Sequence, residues 1–196
     1  MKINNVVIIG SGTMGCGIAA QVANAGIPVT LLDLPSKEGS RNQIIEKAKE
    51  RISKSKPPLL LEKNKINLIS AGNTEDDFNL VGEADWVVEA VVERIDIKKD
   101  IYRKIEQVRK NDSVISSNTS TIPLKVLSED MSEKMKKDFC ITHFFNPVRY
   151  MGLLEIVQEP INDKIKINLL KSFCDEKLGK GVIICKDTPG FLGNRV

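Results

Sequence analysis

The chain has 196 residues, 41% of them hydrophobic and 28% charged, with a formal net charge of +3, which suits one ordinary globular domain with a sizeable core. No run of about 18 uncharged apolar residues occurs and no small-residue cleavage site follows the start, so neither a membrane span nor an export leader is expected, and a cytoplasmic location is. The four cysteines, Cys16, Cys140, Cys174 and Cys185, stand singly in apolar segments without a C-x-x-C pair, which argues against a disulfide framework and against a metal site.

Short β-branched runs alternate with helix-length patterns along the chain. The first strand, Asn5 to Ile9, runs into GSGTMG, where Gly10, Gly12 and Gly15 make G-x-G-x-x-G. A glycine triplet alone is weak, but this one follows an apolar strand and opens a helix with small residues at Gly17, Ala19 and Ala20. Gly26 closes that helix before a second strand, Val29 to Asp33. Gly10 permits the tight turn, Gly12 lets the backbone approach a pyrophosphate, and Gly15 lets helix pack closely on strand. Asp33 stands 18 residues beyond Gly15, where a carboxylate accepts from an adenosine ribose and repels a 2′-phosphate. The cofactor expected is therefore NAD, although Arg41 keeps NADP open.

Residues 37 to 65 hold nine Lys/Arg against four Glu. A solvated helical face explains such a run, as does a patch for a phosphate-bearing ligand; a nucleic-acid partner is not expected, because no recognition motif accompanies it. The stretch Lys54 to Lys65, with Pro57 and Pro58, reads as a surface excursion. Strands follow at Asn67 to Ser70 and Asp85 to Glu89. Ile97, Ile101, Ile105 and Val108 recur at helical spacing, with Lys98, Lys99, Arg103 and Lys104 on the opposite face. Further strands are expected at Ser113 to Ser117, Phe139 to His143, Leu153 to Val157 and Val182 to Cys185. Ile165, Leu169, Phe173 and Leu178 mark a helix ended by Gly179. Consecutive apolar runs such as VVIIG and DWVVEAVV suit strands covered on both faces. The expected fold class is thus α/β: a Rossmann-type, doubly wound, mostly parallel sheet in a three-layer α/β/α arrangement.

An NAD-dependent alcohol oxidation needs a base for the hydroxyl proton, and His143 is the only histidine in the chain. It ends a late strand, and in open α/β sheets ligands sit at the carboxyl ends of strands. Glu155, embedded among Leu153, Leu154, Ile156 and Val157, is a poor choice for an apolar strand unless it finds a partner. A His143–Glu155 pair would fix the imidazole tautomer and stabilise the imidazolium; an outward-facing strand residue is the plainer alternative.

Seven motifs in order carry a family resemblance: GSGTMGCGIA from Gly10, a strand ending in Asp33, EAVVERIDIK from Glu89 to Lys98, SSNTST from Ser116 to Thr121, HFFNP from His143 to Pro147, LLEIV around Glu155, and CKDTPGFLGNR from Cys185 to Arg195. The chain resembles the NAD-binding domain of the L-3-hydroxyacyl-CoA dehydrogenases, close to 3-hydroxybutyryl-CoA dehydrogenase. The resemblance implies NAD-dependent oxidation of the 3-hydroxyl of an acyl-CoA in fatty-acid β-oxidation, with His143 as general base and Glu155 its partner. Ser120, Asn146 and Asn194 would surround the substrate C3 oxygen. Glu93, Lys98 and Asn118 would line the nicotinamide ribose, Asp33 the adenosine ribose, and Thr13 and Met14 would join the three glycines around the cofactor. Acyl-CoA phosphates would suit the basic region.

Residues 1–196 are expected to form one dehydrogenase domain, whereas the family continues into a helical C-terminal domain that supplies dimer contacts. FFNPVRYMGLLEIV also resembles the dehydrogenase part of fused multifunctional chains. The competing expectations are a non-catalytic NAD-binding remnant or a fragment needing that second domain, and a dehydrogenase of a free hydroxy acid.

Overall fold

The computed structural model describes residues 2–193. Its elements are, in chain order, β1 (Val6–Ile9), α1 (Thr13–Asn24), β2 (Val29–Asp33), α2 (Gln43–Lys54), β3 (Ile69–Asn73), β4 (Trp86–Glu89), α3 (Ile95–Val108), β5 (Val114–Ser117), α4 (Leu124–Leu127), α5 (Glu133–Asp138), β6 (Phe139–Phe144), β7 (Leu153–Gln158), α6 (Lys164–Glu176) and β8 (Gly181–Lys186), with 3₁₀ turns at Lys63–Leu68 and Phe78–Glu83. The strands form one sheet in the order β3-β2-β1-β4-β5-β6-β7-β8. All neighbouring pairs are parallel except β6 and β7. The chain winds outward from β1 in both directions, so the strand order reverses between β1 and β4, which is where such sheets open a crevice.

Strand residues divide alternately between two cores. Val6, Ile8, Leu31, Trp86 and Val88 pack against α1, α2 and α6 through Ile18, Ile45, Ile52 and Leu170. Val7, Ile9, Leu32, Val87 and Ile115 pack against α3, α4 and α5 through Tyr102, Ile105, Leu124 and Met135. Helices on both faces explain why the strands are continuously apolar, and the three-layer α/β/α architecture follows.

Three local expectations are corrected. The third strand begins at Ile69 rather than Asn67, because residues 63–68 wind into a 3₁₀ turn. In α6, Ile165 is 78% exposed, and the buried face is Ile167, Leu170, Phe173 and Cys174. Asp163 explains the phase: its carboxylate accepts from the Ile165 and Lys166 amides, so the helix starts with Ile165 turned outward. In α3, finally, Lys98 points into the protein with Tyr102 and Ile105, while Ile97 and Ile101 are only part-buried. The excursion after α2 is held rather than loose: Asn24 bonds Leu59 and Leu61, and Arg149 and Tyr150 both donate to the Pro58 carbonyl.

Candidate active site

Above the carboxyl ends of β1, β2 and β4 lies a cavity of about 440 Å³, lined among others by Gly10, Gly12, Asp33, Val91, Ile97 and Ile101. The apolar stripe of α3 therefore serves the crevice as well as the core. Gly10 adopts φ +105°, and a Cβ there would lie 2.5 Å from the Ala90 carbonyl oxygen. At Gly15 a Cβ would lie 1.9 Å from the Gly10 carbonyl oxygen, so helix and strand meet as expected. Around Gly12 nothing lies within 4 Å of a Cβ position, and α1 has no side-chain cap there. The space and the uncapped N–H groups of the first turn, beginning at Thr13 and Met14, fit a diphosphate.

Asp33 reaches the same loop. Its Oδ2 accepts from the Ser11 amide at 2.7 Å and the Ser11 hydroxyl at 2.6 Å, and its Oδ1 accepts from the Leu34 amide at 2.7 Å. Arg41, the residue that kept NADP open, pairs with Glu75 at 2.8 Å and Asp76 at 2.5 Å. Arg51 donates to the Ser11 carbonyl at 2.8 Å, and Lys49 to the Ile69 carbonyl at 2.6 Å. Part of the basic region is thus committed to holding the fold.

On the far side of the crevice the structure departs from the sequence reading. Lys98, placed on the solvent face by periodicity, is 1% exposed. The cause is Glu89, a fully buried carboxylate at the end of β4, which requires a cation and donors. Lys98 Nζ lies 2.7 Å from Glu89 Oε1 and 3.2 Å from Glu93 Oε2. Tyr102 and Ser117 donate their hydroxyls to Glu89 Oε2 at 2.5 and 2.6 Å, and the Val91 amide donates to Oε1 at 2.8 Å. Burial, reinforced by the Glu89 charge, pushes the Tyr102 phenol well above its ordinary range. Burial works against ionised Glu93, but the Thr119 hydroxyl and Lys98 outweigh it and hold that carboxyl below its usual range. Glu93 also accepts from the Ser120 amide at 3.3 Å and the Thr121 hydroxyl at 3.0 Å. Asn118 Oδ1 accepts from the Phe144 amide at 3.0 Å, tying the β5 loop to the end of β6. No periodicity in the sequence marks Glu89, Tyr102 and Ser117 as a cluster, although an acid inside DWVVEAVV is the same signal that singles out Glu155.

His143 and Glu155 are 12 residues apart in sequence and directly opposite in the antiparallel pairing of β6 with β7. Such pairs bring side chains together on one face. Nδ1 of His143 lies 2.7 Å from Glu155 Oε2, and the two residues are 4% and 0% exposed. Oε1 of Glu155 accepts from the Leu192 amide at 2.8 Å and the Gly193 amide at 2.7 Å. The plainer reading of Glu155 as an outward-facing residue is therefore wrong. The rings of Phe145 and Phe191 flank the imidazole, with centroids 4.5 and 5.6 Å away. Cys185 lies beside the pair, its thiol pushed up by burial and then by the Glu155 charge. Asn146 is exposed just beyond β6, and Asn194 lies outside the described residues.

The glycine loop, an acid at the end of β2 and a His–Glu pair on β6 and β7 are thus carried by one sheet. A profile of the family described as 3-hydroxyacyl-CoA dehydrogenase, NAD binding domain, matches residues 5–188. The chain belongs to the 3-hydroxyacyl-CoA dehydrogenase family. Its cofactor is NAD. Among its relatives, a protein of Rickettsia felis named as a fatty acid oxidation complex trifunctional enzyme is 45% identical over all of this chain and 27% of its own length. One of Deinococcus radiodurans named as a 3-hydroxyacyl-CoA dehydrogenase is 43% identical, over all of this chain and 57% of its length. The crystal structure of (S)-3-hydroxybutyryl-CoA dehydrogenase PaaH1 from Ralstonia eutropha superposes with a TM-score of 0.81 at 29% identity, over 100% of this chain and 68% of that one. The chain thus spans a quarter to about three fifths of these curated relatives' length. Among its described residues no helix is long and apolar enough to cross a membrane.

Proposed function

We propose that this domain oxidises the 3-hydroxyl of an L-3-hydroxyacyl-CoA to the ketone in fatty-acid β-oxidation in the cytoplasm, with His143 as general base and Glu155 as its orienting partner. The observation that carries this reading is the 2.7 Å contact between His143 Nδ1 and Glu155 Oε2. A buried carboxylate can only accept there, so Nδ1 must donate and the Nε2 lone pair is left to take a proton. The substrate hydroxyl proton passes to Nε2, and the resulting imidazolium is stabilised by Glu155 across Nδ1–H. NAD, when bound, would supply the acceptor for the hydride at C3.

The remaining assignments rest on position and on the family. Gly10, Gly12, Thr13, Met14 and Gly15 would hold the diphosphate and Asp33 the adenosine ribose. Glu93, Lys98 and Asn118 would line the nicotinamide ribose, with Lys98 already aimed by two carboxylates. Ser120, Asn146 and Asn194 would hold the C3 oxygen, where hydroxyl and amide groups tolerate an alcohol becoming a carbonyl. Oxidation in a fatty-acid pathway draws support from the name of the Rickettsia relative, and the extra length of the relatives makes a C-terminal dehydrogenase domain or a second copy of the chain the natural partner.

The test follows NADH oxidation with acetoacetyl-CoA in wild type beside His143→Ala. Turnover by wild type alone, with equal NADH affinity in both, supports the reading. Equal rates would remove His143 from the role of base, and equal activity on free acetoacetate would remove the acyl-CoA.

A further inference from the structure

The Glu155 carboxylate is held from a second side by a segment with no part in the reading above. Two successive amides, of Leu192 and Gly193, converge on its Oε1 at 2.8 and 2.7 Å. Successive N–H groups aimed at one oxygen form an anion-binding concavity, which a turn must present. Gly190 (φ +74°) and Phe191 (φ +49°) make that turn with left-handed backbone. For phenylalanine this conformation costs about 1 kcal/mol or more, and burial holds it: Phe191 is 3% exposed. Gly193 also has no room for a side chain. A Cβ there would lie 2.7 Å from Cζ and 3.0 Å from Cε1 of Phe145, the ring whose centroid is 4.5 Å from that of His143.

We propose that the Gly190–Gly193 turn is a positioning element for proton transfer, its two amides holding Glu155, and through Glu155 the His143 ring, so that Nε2 is the nitrogen left to accept the proton. This rests on His143 being the base. With only the imidazole on Oε2, the carboxylate would be free to rotate about its last bond; two donors on Oε1 fix its plane. Gly193 has a second part, since it leaves the Phe145 ring where it covers the imidazole.

The chain has a single histidine, so the imidazole nitrogen NMR signals of uniformly labelled protein report its tautomer directly. In wild type they should show one neutral tautomer with the proton on Nδ1. Gly193→Ala should mix the tautomers and lower kcat roughly 10- to 100-fold, with NADH affinity unchanged. Adding Phe145→Leu, which clears the space for the new Cβ, should restore the tautomer. If Gly193→Ala does not fold, Gly190→Ala strains the same turn away from the Phe145 ring and is read in the same way. A fall in kcat with the tautomer unchanged overturns the proposal, as does a mixed tautomer at full kcat. Should wild type turn nothing over, the proposal that this domain oxidises the substrate by itself has failed, and the tautomer comparison still decides whether the turn orients His143.

Discussion

Replacing Glu155 by Gln keeps the shape of the side chain and changes one acceptor into a donor. In the native site Oε1 receives two amides and Oε2 faces His143 Nδ1. The Gln carbonyl keeps the larger number of bonds by staying on the amides, so its NH₂ turns to the imidazole. Nδ1 must then accept, the ring proton moves to Nε2, and the nitrogen needed to take the substrate proton is blocked. Where the same inversion has been imposed on a catalytic histidine it costs about 10,000-fold in kcat. The burial of both residues allows no water to relieve it here. The expected loss is therefore roughly 1,000- to 10,000-fold in kcat, about 4 to 5.5 kcal/mol of barrier, with NADH binding intact. Stopped-flow NADH oxidation with acetoacetyl-CoA, beside a fluorescence titration of NADH, measures both. A loss below about tenfold would refute the argument, because it would mean that the tautomer is not set by Glu155.

Lys98→Met leaves Glu89 fully buried without a cation, which should cost about 3–5 kcal/mol and lower Tm by roughly 6 to 20 °C; a calorimetric Tm within 2 °C of wild type, about the size of a neutral surface change, would contradict the cluster. Gly12→Ala and Gly15→Ala should separate two kinds of glycine: the first has open space for a Cβ and should keep Tm while weakening NADH binding roughly tenfold or more. The second meets the Gly10 carbonyl at 1.9 Å and should fail in thermal stability before any binding is measured; the reverse order in melting and titration would exclude this division of roles. Acid should destabilise the fold through Glu93 and Asp85, where burial is outweighed at Glu93 by Thr119 and Lys98, and at Asp85 by Lys110 and the Asn4 and Asn5 amides. Both carboxyls lie lower in the folded than in the unfolded chain, so their contribution is complete above the ordinary values of 4.5 and 3.8 and is lost as pH falls through the folded ones. A Tm series through that range should fall accordingly, and a flat one would show that neither group is coupled to folding.

What could be read from the sequence was whatever stood out against an apolar background. Strand β1, the glycine loop and Asp33 were legible because each has a narrow physical requirement at a fixed spacing. Glu155 was legible because an acid in LLEIV must be explained, and His143 because it has no competitor. Periodicity failed where a polar residue overrode it. Lys98 belongs by pattern to the charged face of α3, yet Glu89 draws it inward, and the phase of α6 was decided by one capping aspartate, Asp163. The hold of the Gly190–Gly193 turn on Glu155 escaped for another reason: it is made by backbone amides, which no side-chain pattern records.

The register of β6 against β7 shows how much depends on those few polar residues. In a sheet covered on one side, alternation fixes register, since a slip of one residue would turn the apolar face to water. Here both faces are covered: Leu154 and Ile156 belong to the α1 side and Val157 to the α3 side, so a slip would cost little in apolar burial. A polar pair selects the register instead. His143 and Glu155, directly opposite each other in this pairing, meet at 2.7 Å. Moved by one residue, Glu155 would face the apolar α1 side with no donor, and the cost of an unpaired buried charge far exceeds that of the lost van der Waals contacts. The same pair that orients the proposed base therefore also specifies the antiparallel pairing of β6 with β7, and that reversal in turn lets a loop of eight residues bring the acid back to the end of β6 where the histidine stands.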